Sequence, residues 1–124
     1  MERSLRLRES HDIKRVRSQG RSVAEGPILV RILANGSDPA VNRYQVVAGK
    51  KQGGSVQRNR VKRLFREALR HLHPSLTPGL DILVLVRRTA DEVPDYATAR
   101  ALLDRVVAKA RLTADPGAAG QSAR

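Results

Sequence analysis

Residues 59–72 carry apolar side chains at every third or fourth position, a spacing that places them on one face of an α-helix. These apolar residues are Val61, Leu64, Phe65, Ala68, Leu69 and Leu72. Residues 43–48 before this segment and residues 80–86 after it form short, β-branched apolar runs that are typical of strands. The pattern therefore predicts a strand, an amphipathic helix that ends before Pro74, and a nearly all-apolar central strand.

The remaining periodic segments complete one sheet with helices packed on it. We predict a short helix over residues 10–18, a strand over 27–33 and a final helix over 95–112, with one further short strand near 22–25. The strand over 27–33 is expected to pair antiparallel with the strand over 43–48. The resulting order is α-β-β-(β)-α-β-α, which defines the fold class as α+β, a single-domain α/β sandwich.

The length of 124 residues suits one domain, which we place at residues 1–112. Residues 1–9 are predicted to form a basic, flexible arm, and residues 113–124 a disordered tail. The chain has no cysteine, so disulfides and thiolate metal sites are excluded. It also shows no secretory signal and no membrane-length apolar run, and we therefore expect a cytoplasmic protein that does not associate with membranes.

The positive charge is concentrated in the first part of the chain. The net charge is +12, and residues 43–75 hold nine Lys and Arg against the single acid Glu67. Such a distribution favours a polyanionic partner, above all nucleic acid. With only Tyr44, Phe65 and Tyr96 as aromatics, folds that stack bases on aromatic platforms are disfavoured.

The helix over residues 59–72 carries this charge on the face opposite its apolar stripe, and the segment before it adds more. The candidates for nucleic-acid binding are Lys50, Lys51, Arg58, Asn59, Arg60, Lys62, Arg63, Arg66 and Arg70. We expect Arg58, Asn59 and Arg60 to lie at the helix N-terminus, where free N–H groups favour phosphate. Two simpler interpretations remain open: an ordinary solvated basic face, and a role for Asn59 as an N-cap only.

The residues offer no convincing catalytic centre. His71 and His73 lie two positions apart on a helix and point in different directions, so joint metal ligation is not expected. The acids Asp91, Glu92 and Asp95 suit a solvated loop better than a Mg²⁺ site, and the glycine-rich segment lacks P-loop spacing. A nuclease that acts through its own side chains is therefore disfavoured.

Residues 43–68 resemble the signature of the bacterial ribonuclease P protein subunit. In that family a strand leads to a Lys-Lys pair, here Lys50-Lys51, then to a glycine loop and a helix that contains Arg58-Asn59-Arg60-Val61-Lys62-Arg63. Residues 11–22 and 81–87 are similar to other parts of the family, and the resemblance extends over residues 3–112. The family fold has a left-handed βαβ crossover around this helix, an exception to the usual right-handed rule.

The resemblance implies a protein subunit that binds the catalytic RNA and the 5′ leader of precursor tRNA, and so promotes endonucleolytic 5′ maturation. The RNA would perform Mg²⁺-dependent hydrolysis, with Mg²⁺ bound mainly by RNA and substrate, and the protein alone would be inactive. No metal ligand in the protein and no obligate protein partner are implied. The alternative is a structural RNA-binding protein of ribosomal or RNA-chaperone type, which would share the charge but not the motif order.

The resemblance also implies a cleft for the precursor-tRNA leader between the first helix and the sheet. Family members often line it with aromatic residues, and the matching positions here are Ile13, Arg17 and Arg31. We therefore hypothesise that guanidinium stacking and charge replace aromatic rings in this cleft. Ile13 fits a core position equally well.

Overall fold

The structure is a computed structural model that describes residues 6, 7 and 10–113. The helices and strands follow the predicted order and include the short strand. They are α1 (Ser10–Gln19), β1 (Arg21–Glu25), β2 (Ile28–Ala34), β3 (Arg43–Ala48), α2 (Ser55–Leu72), β4 (Leu80–Val86) and α3 (Tyr96–Ala110). The strand boundaries agree with the apolar runs to within one residue.

The four strands form one mixed sheet in the order β1-β2-β4-β3. Strand β4 pairs antiparallel with β2 and parallel with β3, so the predicted antiparallel pairing of β2 with β3 was wrong. The physical reason is burial: Asp81 through Val84 are buried, and this nearly continuous apolar strand takes the central position, where helices cover both faces. Helix α2 is thus the crossover between the parallel strands β3 and β4.

The two faces of the sheet carry separate apolar clusters. On one face α2 and α3 bury Phe65 and Leu103 against Val84 and other strand residues. On the other face α1 buries Val16 against Leu83. The basic side of α2 is consequently turned away from the sheet, while α1 covers only part of the opposite face. None of the helices between residues 10 and 113 is long and apolar enough to cross a membrane.

The described residues near both ends of the chain contact the folded domain. Arg6 forms a parallel bridge with Tyr44, and Leu7 is fully buried in the cluster under α1. Residues 1–5, 8 and 9 of the predicted arm lie outside the described residues. Thr113, which we assigned to the tail, pairs with Leu76, and residues 114–124 lie outside the described residues.

Candidate nucleic-acid interface

Helix α2 starts one turn earlier than predicted, so Arg58, Asn59 and Arg60 do not form its N-terminus. Gly54 is the N-cap, and Asn59 is an exposed residue in the second turn of the helix. The apolar period could not reveal this first turn, because its one large apolar residue, Val56, is 76% exposed and does not belong to the buried stripe. The free N–H groups at the helix start therefore belong to the residues that follow Gly54.

The glycine loop before α2 is held by its own polar groups. The Gln52 side chain is buried and its Oε1 accepts a hydrogen bond of 2.6 Å from the Gly49 N–H. The Arg58 Nε donates to the Gly53 carbonyl oxygen at 3.1 Å, and Gly53 has a φ of +136°, which favours glycine. This fixed turn leaves Lys50 and Lys51 exposed beside the start of α2.

Three of the predicted basic residues bind other parts of the protein. Besides Arg58, Arg60 donates a hydrogen bond to the Pro94 carbonyl oxygen and so joins α2 to the segment before α3. Arg70 donates to both carboxylate oxygens of Glu67, at 3.1 and 2.6 Å. The guanidinium of Arg70 lowers the pKa of the Glu67 carboxyl, which is therefore ionised at neutral pH.

The other predicted basic side chains have no hydrogen-bond or ion-pair partner among the residues that the structure describes. They are Lys50, Lys51, Lys62, Arg63 and Arg66. Partial burial, and then the charge of Arg6, lower the pKa of Arg66. Uncompensated guanidinium groups at this surface favour an anion such as phosphate.

The N-terminal segment contributes to this surface, which the sequence interpretation missed. The Leu7 N–H donates to the Tyr44 carbonyl oxygen at 2.6 Å, and the Gln45 side chain donates to the Leu7 carbonyl oxygen at 3.2 Å. The segment thereby covers the outer edge of β3 and brings Arg6 near Arg66. The alternating apolar residues Leu5 and Leu7 were the available signal for a strand-like segment.

The three predicted cleft residues lie around α1 and the sheet face beneath it, in different environments. Ile13 is half-buried against the cluster of Val16 and Leu83, and Arg17 is exposed on the same helix. Arg31 donates from Nε to the Val16 carbonyl oxygen and from Nη2 to the Gly20 carbonyl oxygen, both at 3.3 Å. Arg31 therefore caps the C-terminus of α1, where a positive charge is favourable.

A half-buried aliphatic row lies on the same sheet face as Arg31. Leu85 of β4 is flanked by Leu29 of β2 and by Val47 of β3. Sequence interpretation did not single out these residues, since a half-exposed aliphatic in a strand looks the same as a core residue. Together with Ile13 they give the sheet face beside α1 a mainly aliphatic character.

Two of the three acids considered as metal ligands, Asp95 and Glu92, have structural roles. The Asp95 side chain caps α3 by accepting a 2.9 Å hydrogen bond from the Thr98 N–H, and its hydrogen bonds with Thr98 lower the pKa of Asp95. Glu92 pairs with Arg88 at 3.4 Å. Within the described part of the chain, no group of three or more His, Asp or Glu side chains is placed to hold a metal ion.

The two histidines at the end of α2 bond to different tyrosines, as their divergent directions suggested. His73 Nδ1 lies 2.6 Å from the Tyr44 hydroxyl, and His71 Nδ1 lies 2.7 Å from the Tyr96 hydroxyl. Burial raises the pKa of Tyr44 to about 12, so its phenol stays protonated at neutral pH.

Comparison with known proteins decides the family. Residues 1–111, nearly all of the chain, match the family model described as Ribonuclease P. The chain belongs to the ribonuclease P protein family. It is 37% identical over 112 residues to the ribonuclease P protein component of Natranaerobius thermophilus. The aligned region covers 90% of this chain and 95% of the relative. It is 33% identical to that of Roseiflexus castenholzii over 89% of this chain and 88% of the relative.

Solved structures of the family agree with the fold. The ribonuclease P protein of Staphylococcus aureus superimposes with a TM-score of 0.75 at 28% identity, over 87% of this chain and 96% of that chain. The protein from Thermotoga maritima gives a TM-score of 0.72 at 29% identity, over 82% and 93% of the two chains. The α+β class, the element order and the crossover through α2 are consistent with these structures, so the predicted fold is confirmed.

Proposed function

We propose that this chain, as a ribonuclease P protein component that works with the ribonuclease P RNA, binds that RNA through the exposed side of α2. The observation that carries the proposal is the row of uncompensated basic side chains there, Lys62, Arg63 and Arg66, beside the exposed Lys50 and Lys51. Phosphate contacts of this kind supply much of the affinity of a protein for RNA. The protein would thereby assist removal of the 5′ leader from precursor tRNA in the cytoplasm.

We further propose that the RNA performs the hydrolysis and holds most of the Mg²⁺, together with the substrate. Among the described residues, Asp81 is held by Arg43 and His71 by Tyr96, and no group of three or more His, Asp or Glu side chains is placed to hold a metal ion. The part of the protein would be to neutralise phosphates and to hold the leader. The leader would lie on the sheet face beside α1, against Ile13, Arg17 and the aliphatic row around Leu85.

A reconstitution experiment tests the proposed function. Precursor tRNA is incubated with this protein alone, with a bacterial ribonuclease P RNA alone, and with both, at a low Mg²⁺ concentration at which the RNA alone is slow. Cleavage at the 5′ end only when both are present supports the proposal. Cleavage by the protein alone would assign the chemistry to the protein, and absence of stimulation would favour a purely structural RNA-binding role.

A further inference from the structure

A groove between α2 and α3 lies at the edge of the basic side of α2. It encloses about 400 Å³ and is lined by Arg63, Leu64, Glu67, His71 and Tyr96. Volumes in this range suit small organic groups, and the apolar walls come from Leu64 and the tyrosine ring. Only Arg63 belongs to the predicted RNA-binding set.

The aromatic wall of the groove is fixed in position. The rings of His71 and Tyr96 meet edge to face, with centroids 5.6 Å apart and an angle of 82° between the planes. The Tyr96 hydroxyl is bonded to His71 Nδ1 at 2.7 Å and accepts from Arg100 Nη1 at 3.3 Å. Tyr96 is only half-buried, whereas Tyr44, the other tyrosine of the chain, is 1% exposed. A ring held in this way is preorganised for stacking.

The charges at the groove are of both signs, unlike the rest of the helix face. Glu67 is the single acid among residues 43–75, and it lies in this groove. An ionised carboxylate here opposes phosphate binding, but it accepts hydrogen bonds from the amino and imino groups of a nucleobase. Arg63 has no partner among the described residues, so its planar guanidinium is available to stack on a base or to bind the adjoining phosphate.

We propose that this groove binds one unpaired nucleobase of an RNA partner and that guanine is preferred. Unpaired bases in RNA are recognised by stacking on aromatic or guanidinium planes and by hydrogen bonds to their Watson–Crick edge, and the groove offers both. Guanine presents an imino and an amino donor side by side. Each oxygen of the Glu67 carboxylate already accepts a hydrogen bond from Arg70 but has a second lone pair that can accept one from the base. This proposal rests on the proposed RNA binding by α2. It does not depend on leader binding or on any catalytic step.

The test uses the full-length protein labelled with 3-fluorotyrosine. The chain has two tyrosines, so ¹⁹F NMR gives two resonances, and the Tyr96→Phe variant assigns them. The protein is titrated with the pentanucleotides UUGUU and UUUUU and with a pentamer of the same charge in which every position is abasic. We expect the Tyr96 resonance to shift with UUGUU at roughly tenfold lower concentration than with UUUUU, and not with the abasic pentamer. The resonance of Tyr44, which is buried, should stay in place.

The Glu67→Gln variant tests the base preference, with Glu92→Gln as the matched control. Glu92 is also a surface acid paired with an arginine, but it lies outside the groove. Glu67→Gln should remove most of the preference for UUGUU, and Glu92→Gln should preserve it. A Tyr96 resonance that responds equally to the abasic pentamer, or to none of the probes, would overturn the proposal. Because no catalytic RNA is present, this failure is distinguishable from loss of stimulation in the reconstitution experiment.

Discussion

The guanidinium of Arg43 holds the fully buried carboxylate of Asp81 through two hydrogen bonds, Nε to Oδ1 at 2.9 Å and Nη2 to Oδ2 at 2.8 Å. The same guanidinium donates to Asp12 of α1 at 3.1 Å. These contacts raise the pKa of Arg43, chiefly through the hydrogen bond with Asp81. Arg43 thus ties α1 to β3 and β4, and it belongs to the interior framework although it is part of the basic segment.

The Arg43→Ala variant should lower the free energy of unfolding by about 3 kcal/mol, because Asp81 would remain buried without its main partner. Urea denaturation followed by circular dichroism measures this change. In the Arg43→Ala/Asp81→Asn double variant both charges are absent, so its loss should be smaller than the sum of the losses in the Arg43→Ala and Asp81→Asn single variants. Additive losses would contradict the direct coupling of the two side chains.

The Asp95→Ala variant should lower the melting temperature at neutral pH, because the N-cap of α3 is lost. The hydrogen bonds with Thr98 lower the pKa of Asp95 below its usual value of 3.8, so the charged cap stabilises the fold above that pH. The difference in melting temperature between wild type and variant should therefore shrink as the pH falls through the lowered pKa. A difference that is independent of pH between 6 and 3 would contradict a charged cap.

Arg60 and Arg63 lie one turn apart on α2 but should behave differently when each is replaced by alanine. Arg63→Ala should preserve stability and weaken RNA binding, with the slope of log K against log salt becoming shallower by roughly 0.7 to 0.9. Arg60→Ala should lower stability, because the hydrogen bond to Pro94 at the start of α3 is lost. Thermal melts and salt titrations of both variants with ribonuclease P RNA measure these effects. Identical behaviour in both assays would contradict the division of roles.

Binding of the wild-type protein to ribonuclease P RNA should depend steeply on salt. Neutralisation of about 6 to 8 phosphates predicts a slope of log K against log salt between about −4 and −7. Affinities measured by filter binding from low to physiological salt give the slope. A nearly flat dependence would contradict phosphate binding by the basic side of α2.

The Arg17→Ala variant should weaken binding of leader-bearing precursor tRNA to the reconstituted complex more than binding of mature tRNA. Arg17 is exposed on α1 beside Ile13, where we place the leader, while Arg31 is already bonded to the end of α1. Arg105→Ala, which removes an exposed arginine from α3 on the other side of the sheet, serves as the control. Equal losses for both tRNA species would remove Arg17 from the leader site.

Local patterns in the sequence predicted the elements well, because burial decides them. The boundaries of β3 and β4 follow from apolar runs, and the apolar stripe of α2 follows from its period. The pairing of the strands was harder to predict from the sequence. Strand β4 lies between β2 and β3 in the sheet although more than 30 residues separate it from β3 in the chain. To predict that β4 is the central strand, one must know that it is buried on both faces. The sequences of β2 and β3 do not show this.

The sequence predicted which residues give the candidate site its charge. It did not predict which of them bond within the protein and which remain available to a partner. The sequence indicates that Arg58, Arg60 and Arg63 are basic residues near one helix face. Only tertiary contacts show that Arg58 bonds to Gly53, and Arg60 to Pro94, which is 34 residues away. The burial of Leu7 was missed for a similar reason, since its partners Val16 and Leu83 come from distant segments.

The central claim is that the basic side of α2 couples this protein to the ribonuclease P RNA. The most direct measurement is the rate of 5′ cleavage by ribonuclease P RNA at low Mg²⁺, with wild type or with the Lys62→Ala/Arg63→Ala/Arg66→Ala variant. The account predicts strong stimulation by the wild type, and stimulation by the folded variant only at much higher protein concentration. Equal stimulation by both proteins at equal concentration would contradict it.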